Sequence, residues 1–171
     1  MGDADFDQRE FRNVLGNFCT GVVVATGCLE GLPAGFAAQS FVSLSLQPPL
    51  IALCPAKSST SWPKLRASGS FCVNVLAVDQ RRISDAMAQP GGDAFEEFDW
   101  QPSGTGSPVL DGVIAYIDCE LVDEHEAGDH TIAVGQVRDF RVLAGEKPPL
   151  LFFQGSYGSF GSDSVGDEPD Q

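Results

Sequence analysis

Between Gly35 and Ser59 the chain reads GFAAQSFVSLSLQPPLIALCPAKSS. Phe36, Ala37, Ala38, Gln39, Ser40, Phe41, Ser43, Leu44 and Ser45 string small, hydroxylated and amide side chains along one extended run. Pro48-Pro49 joins it to an apolar run ending at Cys54, and Pro55-Ala56-Lys57-Ser58-Ser59-Thr60 follows. A strand that only packs a core alternates bulky apolar and polar residues. This pair instead presents backbone, hydroxyls and one cation. Lys57 beside three hydroxyls, where a helix is about to start, combines positive charge with free N–H groups, which is the chemistry of a phosphate site. The stretch therefore reads as a surface for something flat and anionic, a phosphate-bearing ring. A surface lysine held by water is the competing reading for Lys57.

A second group lies far along the chain, where Gly128-Asp129-His130 forms a turn signal and Tyr157 follows in GSY. His130 is either a ligand contact or a solvated turn residue. Tyr157 is either part of the same site or an aromatic that closes the end of the fold. His125 has no partner at metal-ligand spacing. The five cysteines, Cys19, Cys28, Cys54, Cys72 and Cys119, are widely spaced and form no C-x-x-C pair, so no metal site is expected. Cys54, inside the first stretch, reads as a thiol lining that surface rather than as a nucleophile.

These residues need a frame. With 171 residues the chain fits one domain over 1–171, with a core from about 8 to 160 and acidic, flexible ends. Ten basic residues against 24 acidic ones give a net charge of −14, which argues against nucleic-acid partners and against anionic membranes. No signal peptide and no apolar run of spanning length is seen, and the unpaired cysteines fit a reducing compartment, so a cytoplasmic location is expected.

Phe11, Val14, Leu15 and Phe18 share one face of a helix over 6–19 and should be buried. A β-branched strand follows at 22–26, Glu30-Gly31 marks a reversal, and the chain returns through 33–45. Further strands are expected at 50–54, 70–76, 113–121, 131–142 and 150–153. Helices are expected after Lys57, with Pro63 in the first turn, and over 79–88. Residues 89–109 form a long loop pinned by Phe95, Phe98 and Trp100. Hairpins outnumber β-α-β units, and neither G-x-G-x-x-G nor a P-loop occurs. The fold class is mainly β: an antiparallel, Greek-key-like barrel with a few peripheral helices.

Taken together, FRNVLGNFCTGVVVAT at 11–26, GFAAQSFVSLSLQPPLIALCPAKSSTSW at 35–62, FCVNVLAVDQ at 71–80, FDW at 98–100, GSPVLDGVIAYIDC at 106–119, AGDH at 127–130 and PLLFFQGSYGSF at 149–160 resemble the flavin reductase family. That family has the FMN-binding split β-barrel and comprises reductase components of two-component flavin-dependent monooxygenases. The GFA-x-QSF form is most similar to the branch serving a hydroxylase of bacterial steroid-ring breakdown. The resemblance implies a homodimeric NADH-dependent reductase of FMN or FAD, whose reduced flavin diffuses to a partner monooxygenase. It implies that Phe36, Ala37, Ala38 and Gln39 line the flavin ring edge, that Ser40, Phe41, Ser43, Leu44 and Ser45 continue that wall, and that Cys54 to Thr60 take the ribityl and phosphate end. It assigns Asp129, His130 and Tyr157 to the nicotinamide. Many members carry Thr at the position of Ala37 and Ser near Gln39, so one hydroxyl contact is missing here.

Such a site suits hydride transfer, in which the cofactors carry the reactivity and the protein supplies stacking, orientation and charge. Amide donors aimed at the ring edge would stabilise the anionic reduced flavin. Two rivals follow from the same residues. One is a flavin- or heme-binding carrier or sensor, which would not need the GDH turn with Tyr157. The other is an oxidase of the pyridoxamine-phosphate type, which would need a basic cluster that this chain lacks.

Overall fold

A computed structural model describes residues 7–89 and 94–161. The two acidic ends and the Pro90-Gly91-Gly92 part of the expected loop lie outside the described residues. The chain opens with helix α1 (Gln8–Leu15), capped by Asp7, whose Oδ1 accepts from the Arg9 and Glu10 amides at 2.8 and 3.3 Å. The stripe expected to be buried is instead open. Phe11, Val14, Leu15 and Phe18 are 54, 64, 56 and 78% exposed, and the helix ends before Phe18. Helical spacing determines which residues share a face, but not whether this chain supplies anything to cover it.

The strands are β1 (Thr20–Gly21), β2 (Val23–Leu29), β3 (Leu32–Ala38), β4 (Val42–Leu46), β5 (Pro49–Leu53), β6 (Ser70–Val75), β7 (Trp100–Pro102), β8 (Pro108–Leu110), β9 (Ala115–Ala127), β10 (His130–Val142), β11 (Leu150–Phe153) and β12 (Ser156–Ser159). Helix α2 (Trp62–Ser68) follows β5, and α3 (Arg81–Met87) follows β6. Seven strands form one antiparallel sheet in the order β3-β2-β6-β9-β10-β5-β4. Its two edge strands, β3 and β4, are consecutive in the chain. A flat sheet of this size would hold its edges roughly 29 Å apart, whereas the link through residues 39–41 reaches at most about 15 Å. The sheet must therefore curl until its edges meet, and the result is a barrel split at β3 and β4.

Alternate residues along the Val22–Ala25 run serve two cores, which is why the run is continuously apolar. Val23 and Ala25 face the barrel interior with Ile51, Leu53, Phe71, Val73 and Ala133, and Trp62 and Leu65 of α2 close that core. Val22 and Val24 face outward onto Leu76, Ile83, Met87, Leu110, Val113 and Leu150. Phe95, Phe98 and Trp100 pack against this outer core, so the expected loop is pinned as anticipated, but it also contains the β7–β8 ribbon. Buried polar groups fix the ribbon to the barrel. Asn74 Nδ2 donates to the Pro108 carbonyl at 3.2 Å, and Asn74 Oδ1 accepts from the Leu110 amide at 2.8 Å. Asp118, fully buried, accepts from the Thr105 amide and hydroxyl at 2.9 and 2.7 Å. Each bond satisfies a group that would be costly to bury alone.

At Glu30-Gly31 both residues have positive φ, 53° and 82°, the geometry that joins twisted strands by a two-residue turn. Gly35 is needed for another reason. A Cβ there would meet the Ala25 carbonyl oxygen at 3.0 Å and Phe95 at 3.2 Å, so only glycine lets the outer core close on β3.

Candidate active site

The barrel split opens into a cleft of about 880 Å³, a size typical of ligand sites. One wall is the end of β3 and the link after it, Phe36 to Ser40. The facing wall is Cys54, Pro55 and Ala56, continued by Ser58 to Ser61. Ser84, Met87, Ala88 and Gln89 from α3 and the residues after it close one side, with Val22 behind them. His130, Phe152 and Tyr157 complete the rim.

Specific bonds hold these walls in register. The Cys54 amide donates to Ser40 Oγ at 2.9 Å, pinning the end of β5 to the β3–β4 link. The Thr131 amide donates to the Pro55 carbonyl at 3.0 Å, and the Lys57 amide donates to the Asp129 carbonyl at 2.9 Å. These two bonds zip residues 55–57 onto the start of β10, so His130 stands opposite Ala56. Sequence reading put His130 in the turn. It is instead the first residue of β10, paired with Ala127, because the register of β9 and β10 leaves only Gly128-Asp129 to make the reversal. Ser59 Oγ accepts from the Trp62 amide at 3.1 Å and so anchors the start of α2.

Tyr157 lies on Phe152, edge to face at 5.2 Å between centroids, with the Arg81 guanidinium 4.9 Å from its own ring centre. Its hydroxyl and Ser84 Oγ are 2.9 Å apart. Arg81 also pairs with Asp85 and Arg82 with Glu97, so both arginines are neutralised on the surface.

Among the described residues, no Asp, Glu, Lys or Arg lines this cleft. In a chain of net charge −14 it is therefore a place where an anion escapes facing carboxylates. His130 Nδ1 lies 2.8 Å from Asp129 Oδ1, which leaves Nε2 as the ring nitrogen free for a ligand. The hydrogen bond and the charge of His130 hold the Asp129 carboxyl below its ordinary range.

Of the residues singled out in the sequence, Phe36, Ala37, Ala38, Gln39, Ser40, Cys54, Pro55, Ala56, Ser58, Ser59, Thr60, His130 and Tyr157 are brought together around the cleft. Six others are not among its lining residues. Phe41 packs on the barrel interior, Ser43 and Leu44 are exposed on edge strand β4, and Ser45 follows an irregularity in the β4–β5 ladder. Lys57 is ion-paired with Glu126 of β9, whose carboxyl the lysine holds below its ordinary range. The Asp129 side chain is 94% exposed beside His130. Sequence reading missed Val22, Ser61, Ser84, Met87, Ala88, Gln89 and Phe152. Ser84, Met87 and Ala88 repeat at i, i+3 and i+4, so their common face was legible, although its target was not.

A family model described as flavin reductase like domain matches residues 15–161. The chain is 47% identical over 155 residues to the reductase subunit HsaB of a flavin-dependent monooxygenase from Mycobacterium tuberculosis, covering 90% of this chain and 83% of that protein. Among solved structures it is similar to nitrilotriacetate monooxygenase component B from Mycobacterium thermoresistibile, with a TM-score of 0.91 and 44% identity over 96% of this chain and 93% of the other. It is also similar to the NADH:FAD oxidoreductase of Streptomyces globisporus in complex with NAD and FAD fragments, with a TM-score of 0.87 and 33% identity over 93% of this chain and 96% of the other. The fold is that of a split barrel, and the chain belongs to the flavin reductase family.

Proposed function

We propose that this chain is an NADH-dependent flavin reductase that reduces FMN or FAD and supplies the product to a partner flavin-dependent monooxygenase. The observation that carries this reading is the cleft itself. Walls from residues 36–40 and from 54–56 and 58–61 face each other across it, no carboxylate among the described residues lines it, and His130 and Tyr157 stand on its rim. Small side chains at Ala37, Ala38, Ala56 and Ser58 leave room for a flat ring, and the hydroxyls of Ser58 to Ser61 suit a phosphate.

When bound, the flavin supplies an acceptor for the nicotinamide hydride. The chain's own residues bind and orient. Phe36 to Gln39 present backbone and amide groups to the ring edge. Thr20 donates its hydroxyl to Gln39 Oε1 at 3.1 Å, which orients the amide and leaves its NH₂ to donate. Cys54 to Ala56 form the opposite edge, with Ser58, Ser59 and Thr60 at the phosphate, while the Lys57 ammonium is held by Glu126 off the cleft wall. His130, steadied by Asp129, offers Nε2 to the nicotinamide carboxamide, and Tyr157 bounds the same end. Preference for NADH follows from the lack, among the described residues, of a lysine or arginine on the cleft wall to receive a 2′-phosphate.

Mixing the purified protein with NADH and FMN or FAD should give flavin-dependent loss of nicotinamide absorbance. Absence of that loss with either flavin refutes the reading. A carrier or sensor has no specific observation in its favour.

The exposed apolar side chains of Val14, Leu15 and Phe18 support a homodimer, which sedimentation should reveal as twice the chain mass. We also propose that the chain acts as a single domain in the cytoplasm. Its five cysteines are all free, as a reducing compartment allows. Among the described residues no helix is long and apolar enough to cross a membrane.

A further inference from the structure

Two carboxylates of β9 reach the segment that carries the hydroxyl wall of the cleft. Glu124 and Glu126 stand two residues apart, so their side chains leave the strand on the same face. Glu126 lies opposite Thr131 of β10, whose amide bonds Pro55, and its carboxylate pairs with the Lys57 ammonium. Glu124 pairs with Arg66 of α2 at 2.6 Å and accepts from the Trp62 indole N–H at 3.2 Å.

The two grips differ. The Glu124 side chain is 19% exposed and has two donors, which makes it a fixed brace between β9 and α2. The Glu126 side chain is 79% exposed and that of Lys57 44%. An ion pair this open is worth at most about fivefold in an equilibrium constant, so an incoming phosphate dianion can take the lysine from it. Lys57 is placed for that exchange. Its amide is fixed to the Asp129 carbonyl at 2.9 Å, and its neighbours Ala56 and Ser58 both line the cleft. Only its flexible side-chain stem has to turn. It is also the only basic residue in the stretches 36–40 and 54–61.

We propose that Glu126 is a specificity-determining residue of this site: it competes with the ligand's phosphate for Lys57 and so limits the preference for FMN over riboflavin. The inference rests on the reductase reading, which puts the flavin phosphate at Ser58 to Thr60. With phosphate bound, the ammonium turns from Glu126 toward it. When the flavin leaves, the carboxylate takes the ammonium back. The weakened grip suits a flavin that must depart for a partner enzyme.

The test uses the full chain with Glu126→Gln, Lys57→Gln and the two combined. Fluorescence titration should show FMN binding to Glu126→Gln about fivefold tighter than to the parent. Riboflavin, which lacks the phosphate, should bind both alike and serves as the folding control. Lys57→Gln should weaken FMN binding, and adding Glu126→Gln to it should recover less than about twofold, because the competition has lost its object. A gain that persists in full on the Lys57→Gln background overturns the proposal, since loss of carboxylate repulsion alone would then account for it. An equal gain for riboflavin overturns it too, as does an unchanged ratio of FMN to riboflavin affinity. NADH-driven flavin turnover retained in those cases leaves the reductase reading standing without this inference. A parent protein that binds neither FMN nor riboflavin removes both.

Discussion

The Tyr157 hydroxyl and Ser84 Oγ meet at 2.9 Å across 73 residues of sequence, tying the last hairpin to α3 on the wall of the cleft. Ser84 is only 2% exposed, so it depends on this partner. Tyr157→Phe should cost about 1 kcal/mol, and melting should fall by about 3 °C. Ser84→Ala combined with it should cost less than the two single changes summed, because each already removes the same bond. Additive losses by calorimetry would show that the two groups do not work as a pair.

His130 is held by Asp129 on one ring nitrogen and lines the cleft. His130→Ala should raise the KM for NADH about tenfold, the effect of losing one good hydrogen bond, and leave FMN affinity within about twofold. Parallel loss of flavin affinity in fluorescence titrations would place His130 at the flavin instead.

Ser40 Oγ is the acceptor for the Cys54 amide where the barrel edges meet. Ser40→Ala orphans that amide and should destabilise the fold by about 1–2 kcal/mol. Because the bond also spaces the two walls, flavin binding should weaken in the same variant. A melting temperature matching the parent would show that water replaces the hydroxyl.

Burial pushes the Cys119 thiol up to about 12 and the Cys72 thiol higher still, with Asp118 adding repulsion in both cases. Both groups therefore keep their protons in the native state while the unfolded chain, with thiols near 9.0, loses them. Their contribution to stability is complete below pH 9 and declines as pH rises above it, because the native state then binds more protons than the unfolded state. Denaturant midpoints measured across pH 8 to 11 should fall on the alkaline side, and less steeply in Cys119→Ala. At pH 8 a thiol reagent should modify exposed Cys19 readily and leave Cys72 and Cys119 untouched until denaturant is added.

Much of the frame was legible because it depends on neighbours in sequence. The Glu30-Gly31 turn, the β-branched run at 22–26, the apolar run at 50–54 and the small-residue stretch at 36–40 all follow from side-chain period and backbone preference. The family resemblance joined that stretch to residues 54–60 and to the distant His130, and one cleft contains most of them.

Other features depended on partners that local pattern does not name. Lys57 has phosphate-site chemistry in its own segment, yet its ammonium is taken by Glu126 from β9. The stripe on α1 has helical spacing, yet among the described residues it stays exposed. Arg12 carries no signal in its own segment, yet it lines a cleft together with Gln154 and Gly155 of the β11–β12 turn. The sequence by itself determined the strands, the turns and the kinds of group on offer, because those rest on contacts a few residues apart. Only the tertiary structure decided which groups share a cavity and which are neutralised, because barrel closure sets registers between residues far apart in the chain.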